Sequence, residues 1–302
     1  MRKRALVLSD LEGVIGVWNM QDERTPILYA KEMDVVVKTL QEANIFDITI
    51  CDTHNGGGIL RKENMEEKEV TILYGIEGIK SGENFDFAIL TGFHGRAGMK
   101  GVFCHSLRFD IKHLELEETP CGEVELFTEW LNKKGIPVIG TCGAEGIEGD
   151  FFCTKTVEEY KEKRIPEDRY MKLSQYIKSV LEKPTYRVKE RKEKSIKVSL
   201  HNIDALPLLE KAGYTIEDKK IIFQSVEKFI KELFFFCNIL NYINEKIMDR
   251  NRRFISYIEK DRNLLMKILV KEDNILDKSL DQIEIKDIHT VWELLNKEYD
   301  KI

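Results

Sequence analysis

The chain has no Cys-x-x-Cys pair, no excess of basic charge, no proline after Pro207 and no glycine after Gly213, and each absence removes a class of explanation. Its six cysteines, at 51, 104, 121, 142, 153 and 237, are scattered over 302 residues, a length that builds a core without a disulfide framework. They read as reduced thiols. With 47 basic and 53 acidic side chains the net charge is -6, a mixed surface with no field for a polyanion, so nucleic acid is not an expected partner. Met1 to Arg4 is basic, but the apolar stretch behind it is interrupted at Asp10 and Glu12, too early for a signal-peptide core or a membrane span. The expectation is a cytoplasmic protein without membrane association. There is no internal repeat and no low-complexity linker.

What the sequence does have is alternation of short apolar runs with helical periodicity. Ala5 to Ser9 reads as a buried strand, Ile27 to Ala43 as an amphipathic helix and Ile45 to Cys51 as a second β-rich run, a β-α-β opening. Further strand-like runs follow at Val70 to Leu73, Phe87 to Leu90, Gly101 to Cys104 and Ile136 to Gly140, with a helical pattern over Val124 to Lys134 that closes at Gly135. This order predicts an α/β core domain over residues 1–188 with a largely parallel sheet, in which functional groups collect at the carboxyl ends of strands.

After Tyr186 the texture changes. A charged run, Lys189 to Lys194, leads to a strand-like Ile196 to Leu200 and a helix over Ala205 to Ala212 that ends at Gly213. Residues 189–245 therefore read as a smaller α/β second lobe. With glycine and proline gone, the rest can be helical, and Ser225 is a candidate N-cap for a helix carrying Phe229, Leu233, Phe236 and Leu240. Its Phe234-Phe235-Phe236 run reads as a core helix, with a subunit interface as the alternative. Residues 246–302 read as a charged, amphipathic helical extension.

The first strand raises a chemical question, because LVLSDLEGVIGVW ends a buried run in two acids. The other strand ends raise it again: Asp52 and His54 in CDTHNGGG, His94 in ILTGFHGRAG, His105 in GVFCHS, and Glu123 opening a helix in CGEVEL. In an α/β sheet these segments converge on one rim, so carboxylates and imidazoles distant in sequence meet in one cavity. That mixture suits one or two borderline divalent ions such as Zn²⁺ or Mn²⁺, and a cation between carboxylates offsets their repulsion and desolvation. Gly13, Gly16 and Gly56 to Gly58 let the backbone turn tightly or approach a ligand closely. Asp52 either orients an imidazole or caps the following loop. Cys51 and Cys104 lie beside histidines, but free cysteine behaves first as a small buried hydrophobe. His113, His201 and His289 lack acidic company and read as structural or surface residues, and Glu125 as solvated.

The set SDLEGVIG, CDTH, TGFHGRAG, FCHS and CGEVEL, in this order and spacing, resembles the zinc D-aminopeptidases of the dipeptide-transport type, from the N-terminus to about Tyr242. The resemblance implies two Zn²⁺ ions per subunit, with Mn²⁺ as the other metal the donors suit. By that likeness Asp10 bridges the ions, Glu12, His54, His94 and Glu123 complete the coordination, and His105 is the catalytic residue, moving a proton or attacking the carbonyl. It also implies hydrolysis of the amino-terminal peptide bond of short peptides beginning with a D-residue, and assembly as a homo-oligomer, a ring among its forms. Two differences stand out. Where the family shows an acidic Gly-Asp pair after Ile136 to Gly140, this chain reads GTCGAEGIEGD, so Glu145, Glu148 and Asp150 are candidates for that place. The segment after Lys246 also exceeds the family pattern.

Two other readings compete. Asp10-Leu-Glu12-Gly-Val14 is one residue from the Asp-x-Asp signature of haloacid-dehalogenase-like phosphatases, where the first aspartate is the nucleophile. The triple-phenylalanine run and the helical extension would also suit a non-catalytic, metal-stabilised assembly protein.

Overall fold

The structure, a computed structural model, describes residues 3–76, 79, 84–99, 103–142, 168–184 and 194–248. Two compact units make up the chain: Met1–Glu115 with Thr119–Lys192, and Leu116–Glu118 with Glu193–Ile302.

The first unit is built on a five-stranded parallel sheet. Strands β1 (Arg4–Ser9), β2 (Asp47–Asp52), β3 (Thr71–Tyr74) and β4 (Phe87–Thr91) fall where the apolar runs predict them. β7 (Val138–Cys142) begins two residues later than expected, because Ile136 still belongs to a helix exit. The order across the sheet is β3-β2-β1-β4-β7. From β1 the chain builds outward through β2 and β3, then returns to the other side of β1 with β4 and β7. β1 and β4 are therefore the neighbours at which the direction of building reverses, and in open α/β sheets a ligand crevice forms outside the carboxyl ends of such a pair. Beyond Arg4 both central strands are buried along their length, which is why ALVL and FAIL are continuous apolar runs and do not alternate.

Helix α1 (Thr25–Glu42) starts with Pro26 in its first turn and sends Tyr29, Met33, Val36, Val37 and Leu40 into the cluster containing Ala5, Val7, Ile48 and Ile50. Leu173, Ile177 and Val180 of the helix Asp168–Glu182 join the same cluster. Helix α2 (Glu123–Lys133) begins directly at a predicted site residue. Both α1 and α2 end in one device. Asn44 (φ 62°) and Gly135 (φ 78°) take the left-handed conformation, and the next residue's N–H returns to a carbonyl five residues back, Ile45 to Leu40 and Ile136 to Leu131.

The expected strand Gly101 to Cys104 is not a strand over its described residues, Phe103 and Cys104. Those two residues are irregular, and directly after them His105 N–H donates to Gly95 O at 3.0 Å. Sequence reading also passed over a hairpin of β5 (Ile111–Leu116) and β6 (Thr119–Cys121), and the helix Asp168–Glu182.

In the second unit β8 (Ile196–Leu200) and β9 (Thr215–Glu217) both pair antiparallel with β10 (Lys220–Phe223). The helix Leu206–Lys211 covers part of the expected Ala205 to Ala212 span and closes at Gly213 (φ 94°) with the same returning bond, Tyr214 N–H to Leu209 O at 3.1 Å. The helix Val226–Met248 starts where Ser225 Oγ accepts the Lys228 N–H at 3.1 Å, the expected cap. Phe229 and Phe236 from that helix pack with Tyr214 and Phe223 in an aromatic cluster, and Phe235 is also buried, so the core reading holds for Phe235 and Phe236 of the phenylalanine run. The side chain of Phe234, the candidate acids Glu145, Glu148 and Asp150, His289 and the extension from residue 249 lie outside the described residues. Among the described residues, no helix is long and apolar enough to cross a membrane.

Candidate metal centre

The six residues singled out at the strand ends meet in one place in the first unit. Asp10 and Glu12 leave β1, His54 leaves β2, His94 leaves β4, His105 comes from the following loop and Glu123 opens α2. All but the partly exposed His54 are buried. The loops after β1 and β4 are bound together backbone to backbone, Asp10 N–H to Thr91 O at 3.0 Å and Gly13 N–H to Gly92 O at 2.7 Å. Gly13 thus gives close approach to a neighbouring loop. Val14, Ile15, Val17 and Trp18 are buried, and the first three belong to the core cluster that α1 packs into.

Asp10 is the centre of the cluster. Its Oδ1 lies 3.3 Å from His54 Nδ1, and its Oδ2 lies 3.5 Å from His94 Nε2. Glu12 Oε2 approaches His54 Nδ1 at 2.8 Å, and Glu123 Oε1 approaches His94 Nε2 at 3.3 Å. One carboxylate therefore turns an oxygen to each of two donor groups, Asp10 with Glu12 and His54, and Asp10 with His94 and Glu123. Within each group the candidate ligand atoms lie within 4.8 Å of one another, as they do for Glu12, His94 and His105.

The imidazoles are oriented by backbone carbonyls. His94 Nδ1–H donates to Gly95 O at 3.0 Å and His105 Nδ1–H to Phe103 O at 2.8 Å, which leaves Nε2 of His94 to face the Asp10 and Glu123 carboxylates and Nε2 of His105 as a free nitrogen. The two rings stack, centroids 3.9 Å apart and 9° from parallel. Glu123 is held by the Leu107 N–H at 2.7 Å, from a backbone in the left-handed region (φ 63°).

The electrostatics show what this arrangement wants. Burial, then the neighbouring Glu12 carboxylate, pushes Asp10 up to about 7. Burial acts the same way on Glu12 and Glu123, but the adjacent His54 and His94 overcome it and hold both carboxyls below their ordinary range. His54 and His94 are in turn raised well above theirs against the opposing effect of burial, by Glu12 and Glu123 respectively. Burial, then His94, lowers His105. Three buried carboxylates thus face two imidazoles that must take up protons to balance them, and Asp10 Oδ2 is buried with no hydrogen bond. A divalent cation removes both the excess negative charge and the unpartnered oxygen, so the donor set fits metal.

Asp52 caps the following loop. Its Oδ2 accepts the Gly58, Ile59 and Leu60 N–H groups at 2.9, 3.0 and 3.1 Å, while Oδ1 accepts the His54 backbone N–H at 3.3 Å and lies 3.2 Å from the Tyr29 hydroxyl. Glu125 accepts the Gly122 N–H at 3.0 Å and so caps α2, where solvation was expected. His113 and His201 are exposed, and neither Cys51 nor Cys104 belongs to a donor group among the described residues. Glu32 is the residue that sequence reading missed. Buried on α1, it accepts the Ile15 N–H at 2.7 Å and the Thr91 hydroxyl at 2.8 Å, joining both site loops. An acid between Tyr29 and Met33 on the apolar stripe was the available signal.

Residues 4–205 match the model of a peptidase family described as D-aminopeptidase, a span that contains all six clustered residues. The chain belongs to this family. Membership displaces the phosphatase reading of Asp10 to Val14. A D-aminopeptidase of Bacillus subtilis (strain 168) is 23% identical over 165 residues, 50% of this chain and 57% of the relative, so the chain spans little more than half the length of that relative. The solved structure described as the Zn-dependent D-aminopeptidase DppA from Bacillus subtilis, a self-compartmentalizing protease, shares the fold of this family member. Its TM-score is 0.61 at 16% identity, covering 78% of this chain and 97% of that one.

Proposed function

We propose that the protein is a zinc aminopeptidase that removes a D-residue from the amino end of short peptides. The observation that carries this reading is the division of Asp10 between two donor groups, Oδ1 toward His54 and Oδ2 toward His94. Asp10, Glu12 and His54 would hold one ion, and Asp10, His94 and Glu123 the other. Zinc is preferred to manganese for its match to a nitrogen and carboxylate set and because the similar solved structure is named as zinc-dependent. Bound there, a pair of ions supplies Lewis-acid polarisation of a carbonyl and a lowered pKa for coordinated water.

The chain's own contribution to the chemistry is a proton carrier in fixed orientation. His105, neutral because burial and His94 hold its pKa down, has Nδ1–H committed to Phe103 O and Nε2 free. Nε2 can take a proton from the nucleophile and deliver it to the departing amine nitrogen, the one transfer that hydrolysis of a peptide bond requires. The D-selectivity rests on family membership and on the names of the two relatives. Assembly as a homo-oligomer, in ring form, is part of the same proposal, supported by the description of DppA as self-compartmentalizing, and so is a cytoplasmic location, which rests on the sequence reading alone.

The test is metal content by mass spectrometry beside hydrolysis of D-alanyl-D-alanine and L-alanyl-L-alanine. Two zinc ions per chain, lost in Asp10→Ala together with hydrolysis of the D-peptide, is the expected result. Less than one ion per chain in wild type, with no loss in the variant, overturns the proposal.

A further inference from the structure

Phe109 is 65% exposed, the most exposed large apolar side chain among the described residues, yet it is held in place with unusual care. Its ring stacks on the outer face of His105, centroids 4.4 Å apart and 23° from parallel, while the inner face of His105 stacks on His94 at 3.9 Å. The imidazole is therefore gripped between two rings. On either side of Phe109, Arg108 and Asp110 form a two-pronged ion pair, Nε to Oδ1 and Nη2 to Oδ2, both 2.8 Å. The turn is closed by Arg108 N–H to Ser106 O at 2.7 Å and starts from Leu107, a branched residue in the left-handed region (φ 63°) whose N–H holds Glu123. A ring that leaves most of its surface in water gains little from burial, so this turn is not explained by core packing.

We propose that Phe109 is a positioning residue for His105. The hydrogen bond from Nδ1 to Phe103 O fixes the tautomer but leaves the ring free to swing about that contact, and His94 restrains one face only. Phe109 closes the other face. It fixes the ring plane, and with it the direction in which Nε2 presents its lone pair, and it keeps solvent from the imidazole. Misplacement of a catalytic group by about 1 Å can cost about a hundredfold in rate, which sets the scale on which such a clamp matters.

This inference rests on the role proposed for His105, so its test has one arm that reads turnover and one that does not. In the zinc-loaded protein, Phe109→Ala is expected to lower kcat for D-alanyl-D-alanine by about tenfold or more, with KM, zinc content and melting temperature unchanged. Phe109→Tyr, which keeps the stacking ring, is expected to restore kcat. Independently of turnover, diethyl pyrocarbonate should modify His105 several-fold faster in Phe109→Ala than in wild type, read by mass spectrometry. An unchanged kcat in Phe109→Ala overturns the inference, as does a loss accompanied by lost zinc or lowered melting temperature. If wild type hydrolyses nothing, the functional reading fails, and the labelling rate alone decides whether Phe109 clamps the ring.

Discussion

Gly13 and Gly92 hold the loops after β1 and β4 in direct backbone contact, Gly13 N–H to Gly92 O at 2.7 Å. A Cβ on Gly13 would lie 2.0 Å from Phe93 O, and one on Gly92, itself at φ +72°, would lie 2.2 Å from Asp10 O. Neither obstacle is a flexible side chain. Gly13→Ala should therefore push apart the two loops that carry Asp10 and His94, costing about 1–3 kcal/mol or more. The melting temperature is the measurement, with about 2–4 °C lost per kcal/mol in a unit of this size. An unchanged melting temperature with full metal content would show that the loops tolerate separation.

The strand ends were legible in the sequence because a parallel sheet imposes a simple rule: buried runs are apolar, and the residues just past their carboxyl ends face one rim. Asp10, Glu12, His54 and His94 could be gathered on that rule without knowing any distance, whereas His105 was reached through a strand that does not form over its described residues and Glu123 through a helix start. The hairpins were not legible for an equally physical reason. Glu117-Glu118 and Asp218-Lys219 turn with positive φ at both residues (48° and 67°, 47° and 63°), a conformation usually marked by Asn-Gly or Asp-Gly, and neither pair contains glycine. Glu32 and Phe109 escaped because each breaks a simple rule, an acid on a buried stripe and an apolar ring in water. Each is explained only by a partner far from it in sequence or lying across a loop.

Glu32 links α1 to both site loops, through the Ile15 N–H and the Thr91 hydroxyl. Glu32→Ala should leave a buried N–H and a buried hydroxyl without this acceptor, a cost of about 1–3 kcal/mol for each unsatisfied group. Glu32→Gln keeps an acceptor oxygen and should recover part of the loss. Thermal unfolding of both variants checks this, and equal stability of Glu32→Ala and wild type would remove Glu32 from the architecture of the site.

Asp52 sets where His54 begins. Three consecutive N–H groups, from Gly58 to Leu60, and that of His54 converge on its carboxylate. Asp52→Ala should loosen this loop and weaken zinc binding by about 10–100-fold, the usual effect of losing a group that orients a ligand. Competition with a chromophoric chelator gives the affinity directly. A variant that binds zinc as tightly as wild type would confine Asp52 to loop stability.

Asp10 should reveal the metal's role through pH. In metal-free protein its carboxyl is pushed from 3.8 to about 7 by burial and then by Glu12. A group with a raised folded-state pKa contributes stability that is fully present below the unfolded value and is lost as pH rises through the folded one. Metal-free wild type should therefore lose stability relative to Asp10→Asn between about pH 4 and pH 7, with the difference levelling off above, because asparagine carries no charge to bury. Saturating zinc should reverse the ranking, since ligand bound only to the folded state stabilises it and the variant loses the carboxylate proposed to hold the metal. Melting curves of both proteins across this range, with chelator and with zinc, measure the two effects separately. A pH-independent difference in chelator would mean that Asp10 is not the group whose charge the folded protein resists.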